Sequence, residues 1–298
     1  MKSLDKNLSD ELQKIANEHK ALVMSFIAPD KLVRKSPAQY DYATIAISDL
    51  YEIEKVVEEL AEKEAVPKKL MLIIHTPGGL LYAATKIAKY IRTSFSEVDV
   101  YVPYEAASGG TMICLIANQI ILDKIANLTP IDPQLPYKGV RISSTTYDEA
   151  IREFTDRYGK LSPEEIPSPY QQMANTFDPI LAKEMDKLTM DTILLAWKFL
   201  NKAQNPKNEK AKRKQLLDTA FELAKGGRPH SHIIDFEEAQ EMGLPISKDD
   251  AKIKLLKPFK KWVSSNLYED DAKHIIQYFC PEAEKSGKKD EDAKSKKQ

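Results

Sequence analysis

The stretch YEAASGGTMICLIANQIIL, residues 104–122, sets a small, flexible Ala-Ala-Ser-Gly-Gly turn between a β-rich run and an apolar one. The run before it, VDVYVPY (98–104), alternates and is rich in valine and tyrosine, which predicts a strand. TMICLIANQ (111–119) predicts a buried helix, and QIILDK (119–124) a further strand. A serine at such a junction serves one of two purposes. It caps the helix, the common role for serine at that place. Or it is a nucleophile at a helix N-terminus, where free N–H groups and the dipole favour a developing negative charge.

The same strand–turn–helix unit stands upstream. KKLMLIIHT (68–76) is a continuous apolar strand that runs into the turn HTPGG (75–79), and LLYAATKIAKYIRTS (80–94) predicts a helix with one apolar face. Before it, YATIAI (42–47) predicts a strand and SDLYEIEKVVEELAEKEA (48–65) a helix. There Ser48 is the expected cap, and Leu50, Ile53, Val56, Val57 and Leu60 recur at helical spacing. This alternation predicts an α/β protein with parallel strands buried on both faces. Both Gly-rich turns then lie at the carboxyl ends of strands, where ligand sites of α/β sheets form.

The flanks differ in character. An N-terminal arm and linker (1–38) carries a helix over about residues 8–25, with ALVMSFIA (21–28) as a buried helix end or strand, and then Pro29 and Pro37. The main domain spans 39–250 and contains a helical insertion over about 138–228. A C-terminal helical piece (251–282) follows, and the charged tail 283–298 is nearly free of apolar residues and is expected to be disordered.

Composition narrows the function classes. With 42% hydrophobic and 30% charged residues over 298 positions, the chain can bury a sizeable core. A net charge of −1 gives no global field for nucleic acid, so none is expected as a partner. Cys114 and Cys280 form no CxxC pair, which fits a reducing compartment. No signal peptide or membrane-length apolar run is evident, and a cytoplasmic location without an integral membrane segment is expected. No HExxH or comparable metal signature occurs, and no metal or organic cofactor is expected.

Neither turn fits GxGxxG or GxxxxGK[ST], and there is no GxSxG elbow. Acyl transfer does fit. It needs a nucleophile and two N–H donors for an oxyanion, and glycine lets backbone N–H groups approach a substrate closely. Ser108 supplies the first, Gly109 one donor, and Gly78 or Gly79 the other.

IIHTPGGLLYAATKIAKYI, VPYEAASGGTMICLIANQIIL and LTPIDPQL, in that order, resemble the serine dehydrogenase proteinase family. That family is related to signal peptide peptidase A and to the proteolytic subunit of Clp. The resemblance covers about residues 40–136, with a weaker match at GGRPHSHIIDFEEAQEMGL (226–244). It implies a ClpP/crotonase-type fold and a serine peptidase acting on peptide or protein substrates, assembled as a homo-oligomer. Carried over by position, Ser108 is the nucleophile, Gly109 the donor after it, and Gly78 and Gly79 the loop that holds oxyanion and substrate backbone. Two rival classes share the geometry: an inactive ClpP-like scaffold that binds peptides, and a crotonase-type acyl-CoA enzyme.

The general base is where the pattern departs. Clp subunits have a histidine where this chain offers Asp132, a poor base for a hydroxyl unless its pKa is strongly raised. Pro-Ile-Asp-Pro also reads as a rigid turn in which the carboxylate bonds local N–H groups. Signal peptide peptidases use a lysine further along. Lys160, 52 residues after Ser108, is the candidate base, with Lys138 nearer. His230, in the segment where the family has a histidine, is the alternative, and His75 before the Pro-Gly-Gly turn a lesser one. His230 and His232, two apart on an extended stretch, face the same way, but no third metal ligand accompanies them.

Overall fold

The computed structural model describes residues 4–29, 33–36, 39–41, 43–137, 139–175, 177–207, 209–225, 227–267 and 273–282. Four apolar strands organise it. Ala21–Ile27, Lys69–His75, Glu97–Val102 and Gln119–Leu122 lie side by side and parallel, in that order. Tyr278–Phe279 adds antiparallel to the outer edge of the first.

Alternation along the strands divides the core. Leu22, Met24, Phe26, Leu70, Leu72, Ile74, Val98 and Val100 face the helices Ile47–Glu62, Leu81–Ser94, Gly109–Cys114, Pro179–Gln204 and Lys210–Lys225. Val23, Met71, Ile73, Tyr101 and Ile121 face the other way, against Lys6–His19 and Leu256–Asn266, which contribute Leu12, Phe259 and Trp262. Burial on both faces is why these strands read as unbroken apolar runs. Among the polar residues buried in these strands, Asp99 is the charged one, held between Lys69 at 3.2 Å and Lys252 at 2.8 Å.

Several boundaries differ from the sequence expectation, each for a local reason. The first helix stops at His19, because Lys20 adopts a left-handed conformation (φ 48°), and ALVMSFI is wholly strand. Of the expected strand 42–47, the described residues 43–47 form no sheet strand. Ile45 makes a single bridge to Gly79, and the place beside Ala21–Ile27 is held by Tyr278–Phe279. Ser48 lies inside the helix that begins at Ile47. The Asp49 carboxylate, not Ser48, meets its free end by accepting the Ala46 N–H at 2.8 Å.

The helix after Ser108 ends at Cys114, short of the expected 119. Asn118 turns the chain there, its Oδ1 accepting from Val98 N–H at 2.9 Å and its Nδ2 donating to the Ala203 carbonyl at 3.1 Å. The C-terminal helices end at Asn266, and the chain then returns extended along the first strand. The charged tail 283–298 lies outside the described residues. Among the described residues no helix is long and apolar enough to cross a membrane.

Leu72 sits at the centre of the second strand and is about 1% exposed. Leu72→Ala is expected to lower stability by about 2–5 kcal/mol in urea unfolding, through lost burial plus the cavity left behind. A loss below about 1 kcal/mol would contradict close packing on that face.

Candidate active site

The second and third strands both end at the site. After His75 the chain enters Thr76-Pro77-Gly78-Gly79, and after Val102 it passes through Glu105–Ala106 to Ser108. The two paths are laced together. Thr76 N–H donates to the Glu105 carbonyl at 3.0 Å, and Ala107 N–H donates to the Thr76 carbonyl at 2.9 Å.

Ser108 stands immediately before the helix Gly109–Cys114 with φ 48° and ψ −107°. A non-glycine residue there is strained by about 1–3 kcal/mol, and such strain gathers at functional turns. Its hydroxyl makes no capping bond, so the ordinary reason for a serine at a helix start is missing. The turn is held instead by threonines. Ser108 N–H donates to Thr129 Oγ1 at 2.9 Å, and the Thr111 hydroxyl donates to the carbonyls of Ala106 (2.7 Å) and Thr129 (2.9 Å). This is the geometry of a nucleophile elbow without its GxSxG sequence.

The bond to Thr129 takes up the Ser108 N–H and leaves Gly109 N–H, the first of the helix, without an intrahelical partner. On the facing loop, Gly78 N–H donates to Thr76 Oγ1 at 3.2 Å, and the Gly78 carbonyl accepts from Ile45 N–H at 2.7 Å. Gly79 is thereby the better placed of the two loop glycines. A Cβ built on Gly109 would lie 3.4 Å from the Gly79 nitrogen, so the two glycines approach closely across the turns. Gly78 (φ +96°) and Gly79 (φ +155°) have backbones that L side chains rarely adopt. A Cβ on Gly79 would come within 2.2 Å of the Ile45 nitrogen.

A cleft of about 310 Å³ opens over these turns. Ser108, Gly109 and Gly79 line it together with Asp132, His230, Arg141 and an apolar group of Leu80, Leu81, Ile131, Leu135 and Leu188. His230 Nδ1 lies 2.7 Å from Asp132 Oδ1, and Asp132 Oδ2 accepts from Gln134 Nε2 at 2.8 Å. Asp132 is 5% exposed. Its carboxylate therefore does not serve merely to bond local backbone N–H groups in its turn; its partners are an imidazole 98 residues away and a neighbouring amide.

The other sequence candidates fall elsewhere. Lys160 is exposed on the turn after the helix Ser144–Tyr158 and does not line the cleft. His75 is buried beneath the loop, with its ring edge-on to Tyr104, also outside the cleft lining. Lys138 lies outside the described residues. His232 turns to Glu238 at 2.9 Å, a carboxylate that also pairs with Arg228, so the two histidines do not converge on one ligand. Cys114 is no rival nucleophile, since full burial pushes its thiol well above the ordinary range. A larger and shallower depression of about 710 Å³, lined mainly by Arg152, Lys183, Lys187 and Asp191, holds none of these groups.

Some participants were not evident from sequence. Thr111 and Thr129 carry no signal beyond being threonines near the turn. Leu188 and Arg141 reach the cleft from the helical region and from the strand Val140–Ser143.

Comparison with known proteins identifies the family of the chain. A family described as "ClpP-like SDH-type serine proteinase" matches residues 2–294. An uncharacterized protein of Methanocaldococcus jannaschii, MJ0137, is 34% identical over 212 residues, covering 69% of this chain and 61% of the relative. A second uncharacterized protein of that organism, MJ1495, is 39% identical over 94 residues, 32% of this chain and 31% of its own length. The chain thus spans less than two thirds of both curated relatives. Among solved structures, a mutant of the 1510-N membrane-bound stomatin-specific protease aligns at 17% identity and TM-score 0.43, over 72% of this chain and 79% of that one. Another mutant of that protease, in complex with a substrate peptide, aligns at 16% identity and TM-score 0.43, over 70% and 74%.

Gly79→Ala is expected to destabilise the fold by more than about 1 kcal/mol, because the new methyl meets backbone rather than a yielding side chain. Thermal unfolding of the variant measures this. An unchanged midpoint would mean that Ile45 and Gly79 are not in contact.

Proposed function

The chain belongs to the ClpP-like SDH-type serine proteinases, and from that premise we propose that it hydrolyses peptide bonds through Ser108, with His230 as general base and Asp132 as the group that orients it. Ser108 Oγ attacks the scissile carbonyl carbon, and its proton passes to His230 Nε2. The N–H groups of Gly109 and Gly79 receive the oxyanion. Collapse of the tetrahedral intermediate breaks the C–N bond as the imidazolium returns the proton to the leaving amine. Water, deprotonated by the same imidazole, then releases the acyl group and restores Ser108.

The observation that carries this reading is the 2.7 Å Asp132–His230 pair in a cleft that Ser108 also lines. The contact of Nδ1 with Asp132 supports a role for Nε2 as the nitrogen that takes the serine proton. Lys160 is exposed and outside that cleft in the single chain, so its use as an uncharged base would require burial by a neighbouring subunit. The apolar side of the cleft, with Leu80, Leu81, Leu135 and Leu188, suits an extended peptide with an apolar side chain near the cleaved bond.

Covalent labelling with a fluorophosphonate probe tests the roles. Wild type is expected to label, and Ser108→Ala to abolish labelling. His230→Ala should slow it by about 10³-fold or more and Asp132→Asn by roughly 10²–10⁴-fold, while Lys160→Ala labels like wild type. A folded wild type that does not label between about pH 6 and 10 would sink the peptidase reading. Loss confined to Lys160→Ala would replace the base.

A further inference from the structure

A second Asp–His pair lies directly beneath the Pro-Gly-Gly loop, where no solvent reaches it. His274 is carried there by the returning C-terminal segment, whose Ile275 bridges to Ile27. Its side chain is 0% exposed and its ring stacks on Phe26 at 4.0 Å. Nε2 lies 2.8 Å from Thr76 Oγ1, and the same oxygen accepts the Gly78 N–H at 3.2 Å. On the other side, Nδ1 is 3.1 Å from Asp49 Oδ2, within ion-pair distance but not aligned as a ring N–H hydrogen bond. Thr76 and Asp49 are also buried.

A buried imidazole and carboxylate are costly unless their polar atoms are matched. A ring proton on Nδ1 faces the Asp49 carboxylate in a favourable electrostatic contact, and the hydrogen bonds on the Nε2 side agree in polarity. Gly78 N–H donates to Thr76 Oγ1, and the Thr76 hydroxyl donates to His274 Nε2. The set resembles a catalytic triad in composition, yet its hydroxyl is sealed from the cleft and already accepts a backbone N–H. Its one outlet toward the site is Gly78.

We propose that Asp49, His274 and Thr76 form a positioning relay that fixes the Pro-Gly-Gly loop, holding Gly78 N–H inward so that Gly79 N–H is presented to the oxyanion. The inference rests on the reading of Ser108 as nucleophile. It makes Thr76 and His274 positioning residues of that reaction, acting through the loop and touching no substrate. Threonine is required for two separable reasons. Its Oγ1 carries the relay, and its Cγ2 fills the space above Gly110, where a Cβ would come within 2.5 Å.

That separation supplies the test. Thr76→Val keeps the methyl and puts a second one in place of the hydroxyl, whereas Thr76→Ser keeps the hydroxyl and removes the methyl. Thr76→Val is expected to slow fluorophosphonate labelling and peptide kcat by about 10-fold or more, with KM within about twofold, as for a displaced oxyanion donor. Thr76→Ser should recover most of that loss. Equal impairment in both variants, or none in either, would overturn the relay. Two readouts stand apart from activity. In the Ser108→Ala background, Thr76→Val should speed amide exchange at Gly78 while Thr76→Ser does not; equal exchange in the two overturns the proposal even for an inactive protein. In wild type, imidazole ¹⁵N shifts should show His274 protonated at Nδ1 and bare at Nε2. The opposite neutral tautomer would overturn the relay without any variant. Failure of wild type to label, with these two signatures intact, would refute the peptidase reading and leave the loop relay standing.

Discussion

The left-handed backbone of Ser108 is the constraint from which the site follows. A serine with φ 48° cannot be held by its own turn. It needs bonds from elsewhere, and the chain supplies them from the Thr76 carbonyl, Thr129 Oγ1 and the Thr111 hydroxyl. Those bonds in turn fix which N–H groups remain. Ser108 N–H is spent on Thr129 and Gly78 N–H on Thr76, so Gly109 and Gly79 are left as donors by the accounting of the neighbours. The sheet beneath is rigid because its strands are apolar on both faces, and that rigidity lets two loops from different strands keep one register.

The two Asp–His pairs show how burial divides similar chemistry. Asp132–His230 opens on a cleft, with the His230 side chain 34% exposed and within reach of water. Asp49–His274 has no exposure on the histidine side and serves as a fixed strut. The same residue types thus take opposite duties according to whether water reaches them.

Much of this was legible in the sequence, for identifiable reasons. Strands buried on both faces announce themselves as apolar runs, and KLMLIIH is an example. The Gly-rich turns were legible because glycine is the residue that tolerates Gly79's backbone and its approach to Ile45. What sequence could not resolve was partnership across distance. Pro-Ile-Asp-Pro reads as a rigid turn with a carboxylate bonding local N–H groups, and only folding brings His230 to it. Lys160 matched by spacing alone, and spacing carries no information on burial. The extended run before Tyr278–Phe279 was hidden because a two-residue strand has too little period to detect.

The ranges spanned by these contacts impose an order of assembly. The bond that braces the Ser108 turn, Ser108 to Thr129, closes 21 residues, and the three strands 69–122 are contiguous in the chain. The Asp132–His230 pair closes 98 residues, and the Thr76–His274 contact beneath the Pro-Gly-Gly loop closes 198. Loop-closure entropy rises with the logarithm of length, so the longest of these costs about 2 kcal/mol more to close than the shortest. Non-local pairings are also the slow ones in folding. By that ordering the turn around Ser108 closes on local contacts, whereas the Asp132–His230 pair and the Thr76–His274 contact wait on the most distant parts of the chain.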